Sequence, residues 1–426
     1  MKILSDTVSP VPPLAAGIEF LDAPLAVFGL LLVGGALISG LAGRTFLSLT
    51  AAFVVVGFAL GEGGLEVLEL DPTSQFVQGL AVVALIVILF RDGLEVEEEM
   101  LQEAWHLPLR KLALAMPLTC VFVALVTHAL TDLGWTESFL VGALLSPTDP
   151  VLSSAVVTNP RVPRLVRHSL NLESGLNDGL ALPAVLAFTA AAAGDDDFVW
   201  WQFVLQDVLV GAVSGLAVAF VAARLMPQGR SLGDVISSHQ KALYALGVAF
   251  AAYGIATLPP EGNGFIAVFV VAIALGIWRP DIRECFEAQS EDLVEIVKLG
   301  VFVVFGAIIT LDGLFADGWA AIAIVAFTLL LARPAAVFAA LAGTRQVDTA
   351  EKAFMAWFGP KGVATMAFAL FVLGSAAPEG ERIANIAALA VLASIVAHGV
   401  TEQTGVQWMA RHEAHKKQVT HTGHPG

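Results

Sequence analysis

Charge and cysteine are both scarce in this 426-residue sequence, and each scarcity excludes something. Charged residues make up 14% of the chain and hydrophobic residues 57%, where a soluble domain is about a quarter charged. Lipid, not water, is the solvent this composition suits. The two cysteines, Cys120 and Cys285, fall in an expected span and at the edge of a loop, so neither a disulfide framework nor a thiolate metal site is available. Bases are few as well: 22 Lys and Arg stand against 38 Asp and Glu, for a formal charge of -16. That balance argues against nucleic acid as a partner. The first 23 residues hold one lysine and no basic stretch followed by an apolar core, so no cleaved signal peptide is expected. His128 and His398 lie near span ends with no second ligand at metal spacing and are read as packing. No nucleophile with a base and no pair of histidines four apart is visible, so neither an enzyme nor a cofactor is expected.

What is present is hydrophobic runs of about 20 residues, the length that crosses a bilayer as a helix. They recur at residues 24–43, 45–60, 76–91, 109–130, 136–158, 168–192, 200–225, 240–258, 263–277, 292–310, 318–342, 351–374 and 382–406. The expectation is an all-α polytopic membrane protein of about 13 spans. Residues 1–23 form an extracellular segment, 24–406 the transmembrane domain and 407–426 a short cytoplasmic tail. Basic residues mark alternate loops: Arg44; Arg91, Arg110 and Lys111; Arg161, Arg164 and Arg167; Arg224, Arg230 and Lys241; Arg279 and Arg283; Arg345 and Lys352; Arg411, Lys416 and Lys417. Lys and Arg accumulate on the cytoplasmic side, which puts the N-terminus outside and the C-terminus inside.

Inside the spans the charges are Asp149, Glu173 and Asp178 with Arg333, Lys361 and, near a span edge, Lys298. A charge at the bilayer centre costs about 2.5–3.5 kcal/mol on the lenient insertion scale, so such residues normally have partners and a function. An odd span count allows two inverted repeats of six helices joined by a linker helix, a common transporter plan. The fifth span then matches the twelfth, and both are interrupted: Ser146-Pro147-Thr148-Asp149-Pro150 in one, Gly359-Pro360-Lys361-Gly362 in the other. The prolines disfavour helix at Ser146 and Asp149 and leave the carbonyls of Ala143 and Ser146 without intrahelical donors. Asp149 is expected as N-cap of the second half of its own span, with Pro150 at the first helical position. Freed carbonyls and a helix end can accept a cation there, while Lys361 balances the opposing half-helix ends.

In the sixth span, Leu172-Glu173-Ser174-Gly175-Leu176-Asn177-Asp178-Gly179, residues four apart share a face. Ser174 with Asp178 makes one polar stripe, assigned to the ion. Glu173 with Asn177 makes the neighbouring one, assigned to structure, with Glu173 paired to Arg333 of the eleventh span. Glu95 to Glu99 is read as a solvated charge run. The C-terminal segment from His412, with four histidines, is read as a solvated tail, a pH-sensing role being the alternative.

Thr148-Asp149-Pro150, Glu173-Ser174 followed by Asn177-Asp178, Ala332-Arg333 and Gly359-Pro360-Lys361-Gly362 resemble the motif set of the sodium/proton exchanger family, in its NhaP-like prokaryotic branch, over nearly the whole chain. The resemblance implies a thirteen-span, dimeric antiporter of the cell membrane that serves pH homeostasis by an elevator-like movement. It implies Asp178 as the essential cation and proton carboxylate, with Asp149, the Thr148 carbonyl and Ser174 as further ligands, and supports the pair of Glu173 with Arg333. Asn177, in place of a second aspartate, resembles the electroneutral branch that exchanges one cation for one proton. Two departures stand out. Relatives often carry an acid directly after the third-span phenylalanine, where this chain has Phe90-Arg91-Asp92, which leaves open whether Arg91 or Asp92 takes that place. The usual twelfth-span arginine is Lys361, which keeps charge without bidentate geometry.

A shared carboxylate accounts for exchange on general grounds. An ordinary aspartate, with pKa about 3.9, is protonated in roughly one molecule in a thousand at pH 7. Desolvation raises a buried acid by up to about 3 units or more, and proton and cation can then displace each other on one group. The readings to separate are an Na+ (or Li+)/H+ antiporter, a K+/H+ antiporter on the same site and a cation channel. A channel needs a continuous polar path, whereas these charges gather around two broken helices.

Overall fold

The computed structural model describes residues 49–96, 105–149, 154–194, 198–227 and 236–422, with residues 26, 28–30, 32 and 33 ahead of them. Among these residues the chain is helical, without a strand. The helices longer than one turn are α1 (Leu49–Leu60), α2 (Gln75–Leu94), α3 (His106–Leu130), α4 (Trp135–Leu145), α5 (Ser154–Thr158), α6 (Arg164–Ala192), α7 (Trp200–Leu225), α8 (Ser238–Ala256), α9 (Gly264–Trp278), α10 (Pro280–Ile308), α11 (Trp319–Ala340), α12 (Thr349–Trp357), α13 (Val363–Leu373) and α14 (Gly380–Thr422), with a single turn at Leu311–Leu314. A helix or helix pair stands at every expected span from residue 45 onward; the span expected at 24–43 lies almost wholly outside the described residues. Among the described residues six helices are long and apolar enough to cross a membrane by themselves: α2, α3, α6, α7, α11 and α14 through Lys416. Apolar side chains also line the outside. Leu205, Leu209, Leu216 and Phe220 of α7 are exposed, as suits a surface in contact with lipid.

Proline chemistry shapes several elements. α3 contains a π-turn at Lys111–Ala115 just before Met116-Pro117, and α11 one at Thr328–Ala332 just before Arg333-Pro334. A proline inside a helix lacks an N–H and clashes with the carbonyl four residues back; a widened turn absorbs both without breaking the helix. α9 and α10 meet at 115° across Arg279, the residue before Pro280, where α conformation is disfavoured. Arg279 fills that corner. Its guanidinium is buried, donates to the carbonyls of Ala223 and Met226 at the end of α7, and pairs with Asp281. The sequence grouped Arg279 with exposed loop bases; instead it caps a neighbouring helix, and α10 begins at Pro280, well before residue 292.

Both expected interruptions are present. α4 stops at Leu145, leaving Ser146 to Asp149 non-helical, and α12 stops at Trp357, leaving Phe358 to Gly362 non-helical before α13. α6 packs against α2, α4, α9 and α13. Its polar residues therefore face both breaks.

Candidate functional site

The two breaks are tied to each other. The backbone N–H of Asp149 donates to the Pro360 carbonyl at 2.8 Å, and the N–H of Val363, first residue of α13, donates to Asp149 Oδ2 at 3.1 Å. Asp149 thus caps the half-helix of the opposite break, where a negative charge is favoured. The expected cap on its own span involves Pro150, which lies outside the described residues. Gly362 makes the approach possible, since a Cβ there would collide with the Asp149 carboxyl.

The freed carbonyls of the first break have partners from the protein. Lys361 is fully buried, and its Nζ donates to the carbonyls of Pro147 at 3.0 Å and Ser146 at 3.4 Å. Its N–H donates to Ser394 Oγ. Thr365 Oγ1 donates to the Leu144 carbonyl and Ser146 Oγ to that of Ala143. These carbonyls, expected to accept a desolvated cation, are satisfied by a lysine ammonium and two hydroxyls. The balance expected of Lys361 comes from direct hydrogen bonds to one break's carbonyls.

On α6 the residues divide by face. Asn177 Nδ2 donates to both the carbonyl and the hydroxyl oxygen of Thr148, at 2.7 and 2.8 Å. That holds the first break in place, and it engages the Thr148 carbonyl that was expected as an ion ligand. Asn177 Oδ1 is buried without a hydrogen-bond partner. Ser174 and Asp178, one turn apart, line a small cavity with Asp149, Gly175, Val363, Arg91, Asp92, Glu95 and Lys298. The space open to the centre of a water-sized sphere is about 10 Å3, close to the minimum for a single water. Asp178 Oδ1 is buried without a partner, and the Asp92 carboxyl lines the same small space, so the two acids form a pair able to share one proton. Arg91 pairs with Asp92 and with Glu95.

The sequence thus anticipates Asp149, Ser174 and Asp178 at one cavity, and leaves open whether Arg91 or Asp92 stands for the third-span acid; both line the cavity, paired with each other. Glu95, read as solvated, turns inward one helical turn from Arg91, a spacing that could have signalled the pair; Glu97 to Glu99 lie outside the described residues. Lys298 was recognised as a base near a span edge but not as part of this cavity.

Beside the cavity, Glu173 is paired as expected with Arg333, Nη1 to Oε1 at 3.0 Å, and also with Lys111, Nζ to Oε2 at 2.7 Å. Lys111 is fully buried and also donates to the Ser169 carbonyl. The sequence had placed it in a cytoplasmic loop. α3 and α11 pack against each other, and their π-turns adjoin Lys111 and Arg333. A Cβ at Gly359 would collide with the Arg333 guanidinium. One carboxylate between two bases leaves this cluster with a positive charge next to the acid-rich cavity.

Residues 29–408 match the family model described as sodium/hydrogen exchanger, transmembrane. The K(+)/H(+) antiporter NhaP of Alkalimonas amylolytica is 25% identical over 396 residues, which are 92% of this chain and 67% of that protein. The K(+)/H(+) antiporter NhaP2 of Shewanella sp. (strain ANA-3) is 24% identical, over 87% of this chain and 64% of that protein. The chain therefore spans about two thirds of the length of these curated relatives. A protein of Methanocaldococcus jannaschii named "Probable Na(+)/H(+) antiporter 2" is 22% identical, over 82% of this chain and 84% of that protein. The solved structure of the sodium proton antiporter MjNhaP1 from Methanocaldococcus jannaschii at pH 8 shares the fold, with TM-score 0.78 at 18% identity, covering 92% of this chain and 99% of that one. The family match covers most of the sequence and the antiporter fold accompanies the two crossed breaks: this chain belongs to the sodium/hydrogen exchanger family.

Proposed function

We propose that the chain is a secondary antiporter that exchanges Na+ (or Li+) for H+, one for one, on the Asp178 carboxylate. The observation that carries this reading is the cavity in which Asp178 keeps an unpartnered buried oxygen beside Asp149, Ser174 and Asp92. Protein groups have not used up that oxygen, so it can take a cation or a proton in turn. Asp149, whose Oδ2 accepts the first N–H of α13, lines the same cavity as a further ligand. Ser174 supplies a neutral oxygen, Asn177 holds Thr148 and with it the first break, and Lys361, Glu173 and Arg333 hold the breaks and α6 in register.

The wider reading is a multi-pass homodimer of the cell membrane with thirteen spans, N-terminus outside and C-terminus cytoplasmic, one domain from 24 to 406 and an elevator-like cycle that serves pH homeostasis. The K+/H+ reading keeps a place because several relatives carry that activity in their names. Sodium, lithium and potassium accept the same oxygen ligands. A cation series in proteoliposomes loaded with a fluorescent pH reporter tests the proposal: sodium or lithium collapses an imposed proton gradient in the unmutated protein. Collapse by potassium alone moves the assignment to K+/H+ exchange. Current without coupled proton movement contradicts antiport and indicates a channel.

A further inference from the structure

The cavity at Asp178 already contains a protein cation. Lys298, on α10, is buried and lines the same small space as Asp92, Asp149, Ser174 and Asp178. The other base there, Arg91, is committed to Asp92 and Glu95. Among the described residues no carboxylate oxygen lies within the 4.0 Å of an ion pair from the Lys298 ammonium. Its charge is therefore balanced by the joint field of several acids and not by one partner.

The groups that face it are countable. Among the described residues they are Arg91, Asp92 and Glu95 from α2, Asp149 from the first break and Asp178 from α6, with Glu287 of α10 itself acting on Glu95. α1, α9 and α13, which also pack on α10, carry no charged side chain. α8 brings Lys241, which pairs with Asp281, and His239.

We propose that Lys298 is a tethered counter-ion that competes with the transported cation for the Asp178 cavity and so sets the affinity for that cation. This rests on the reading of Asp178 as the exchange site. A transported cation must sit against the same carboxylates that balance Lys298, in a space with room for about one water. Two positive charges a few ångströms apart in a poorly solvated cavity repel. Lysine has a compact charge on a flexible four-carbon stem, so the ammonium can withdraw when the cation arrives and return when it leaves. Between those events it keeps the site from carrying uncompensated negative charge.

The test uses Lys298→Met and Lys298→Arg in proteoliposomes, with proton flux followed against sodium and potassium chloride concentration. The proposal expects Lys298→Met to lower the half-saturating cation concentration by about ten-fold or more, with a smaller change in maximal rate. Lys298→Arg retains the positive charge and therefore does not lower the half-saturating concentration. An unchanged half-saturating concentration in Lys298→Met overturns the proposal. Because a buried substitution can impair insertion, thermal stabilisation of detergent-solubilised protein by sodium or potassium chloride, against choline chloride, is a second readout. Its midpoint should fall in parallel, and an unshifted midpoint again overturns the idea; Lys298→Gln replaces Lys298→Met if the latter does not accumulate. Asp178→Asn separates the two claims. If it is inactive and insensitive to cation while Lys298→Met has the unmutated affinity, only the counter-ion role falls; if it still exchanges, the site reading beneath it falls.

Discussion

Glu173 answers to two bases, and that changes the cost of losing any member of the cluster. Removing one partner of a buried pair leaves an uncompensated charge and costs about 3–5 kcal/mol. Glu173→Ala strands both Lys111 and Arg333, whereas Arg333→Ala leaves Glu173 with Lys111 at 2.7 Å. Thermal unfolding in detergent should therefore show Glu173→Ala as the more damaging change, with Glu173→Ala combined with Arg333→Ala recovering only part of the loss. Equal losses, or simple additivity in the double variant, would remove the three-membered cluster. At the same scale, Asp178→Asn keeps size and removes the charge, so it should abolish exchange while the protein still inserts and purifies; transport near the unmutated rate would contradict the assignment. Asp149, Glu173, Ser174 and Asp178 were legible because acids and hydroxyls in apolar spans are costly and conspicuous. Lys111 was not. It sits where a span begins, and a basic residue there reads equally well as an interfacial loop charge until the helix is seen to start earlier, at His106.

Among the elements, the two breaks could be read from proline chemistry alone, since Pro147 and Pro360 cannot continue the helices they interrupt. What the freed groups bond to is a tertiary matter that local proline chemistry does not specify: Lys361 takes the carbonyls of Ser146 and Pro147, and Asp149 caps α13. Gly362 at the crossing has no room for a methyl group, so Gly362→Ala should displace the Asp149 carboxyl, cost on the order of 1–3 kcal/mol and depress exchange. Unfolding and transport at unmutated values would show that the breaks are not in contact there.

The half-helix that leads into the second break, α12, is capped by Asp348, whose carboxyl accepts from the Glu351 N–H in a reciprocal capping box. α14 runs on through residues read as a solvated tail, and its His412 and Lys416 bond the same carboxyl. Burial works to raise the Asp348 pKa, but the bonds from His412, the Glu351 N–H and Lys416 outweigh it and hold the group below the usual carboxylate range. A group depressed in the folded state stabilises above its unfolded pKa, about 3.9, and loses that contribution as pH falls further. Asp348→Ala should therefore cost about 1 kcal/mol near neutral pH, Asp348→Asn less because asparagine also caps, and the gap to the unmutated protein should narrow below about pH 4. A pH-independent gap would mean that the cap and not the charge carries the effect.

For the whole molecule, the pairing of interrupted spans follows from hydrophobic runs and basic loops, because both the bilayer's thickness and its charge asymmetry act on short local segments. The crossed breaks and the π-turns beside Lys111 and Arg333 in α3 and α11 agree with that plan. The site's charge balance was less legible, since Asp92, Arg91, Glu95 and Lys298 come from α2 and α10 and meet only in the fold. On the proposed reading, exchange runs through Asp178 alone and moves one charge each way. A membrane potential set with potassium and valinomycin should then leave unchanged the sodium gradient at which proton flux reverses. A reversal point that follows voltage would call for a second titrating group. Asp92, which lines the same cavity as Asp178, would be the first to replace.

A single carboxylate that holds either a cation or a proton, never both, makes the two ions compete. Sodium-driven proton efflux from proteoliposomes, recorded over sodium concentration at a series of pH values, should show a half-saturating sodium concentration that rises as pH falls. The maximal rate should be approached at every pH, and Asp178→Asn should be silent throughout. A half-saturating concentration independent of pH, or sodium-driven efflux through Asp178→Asn, would exclude a carboxylate shared by cation and proton.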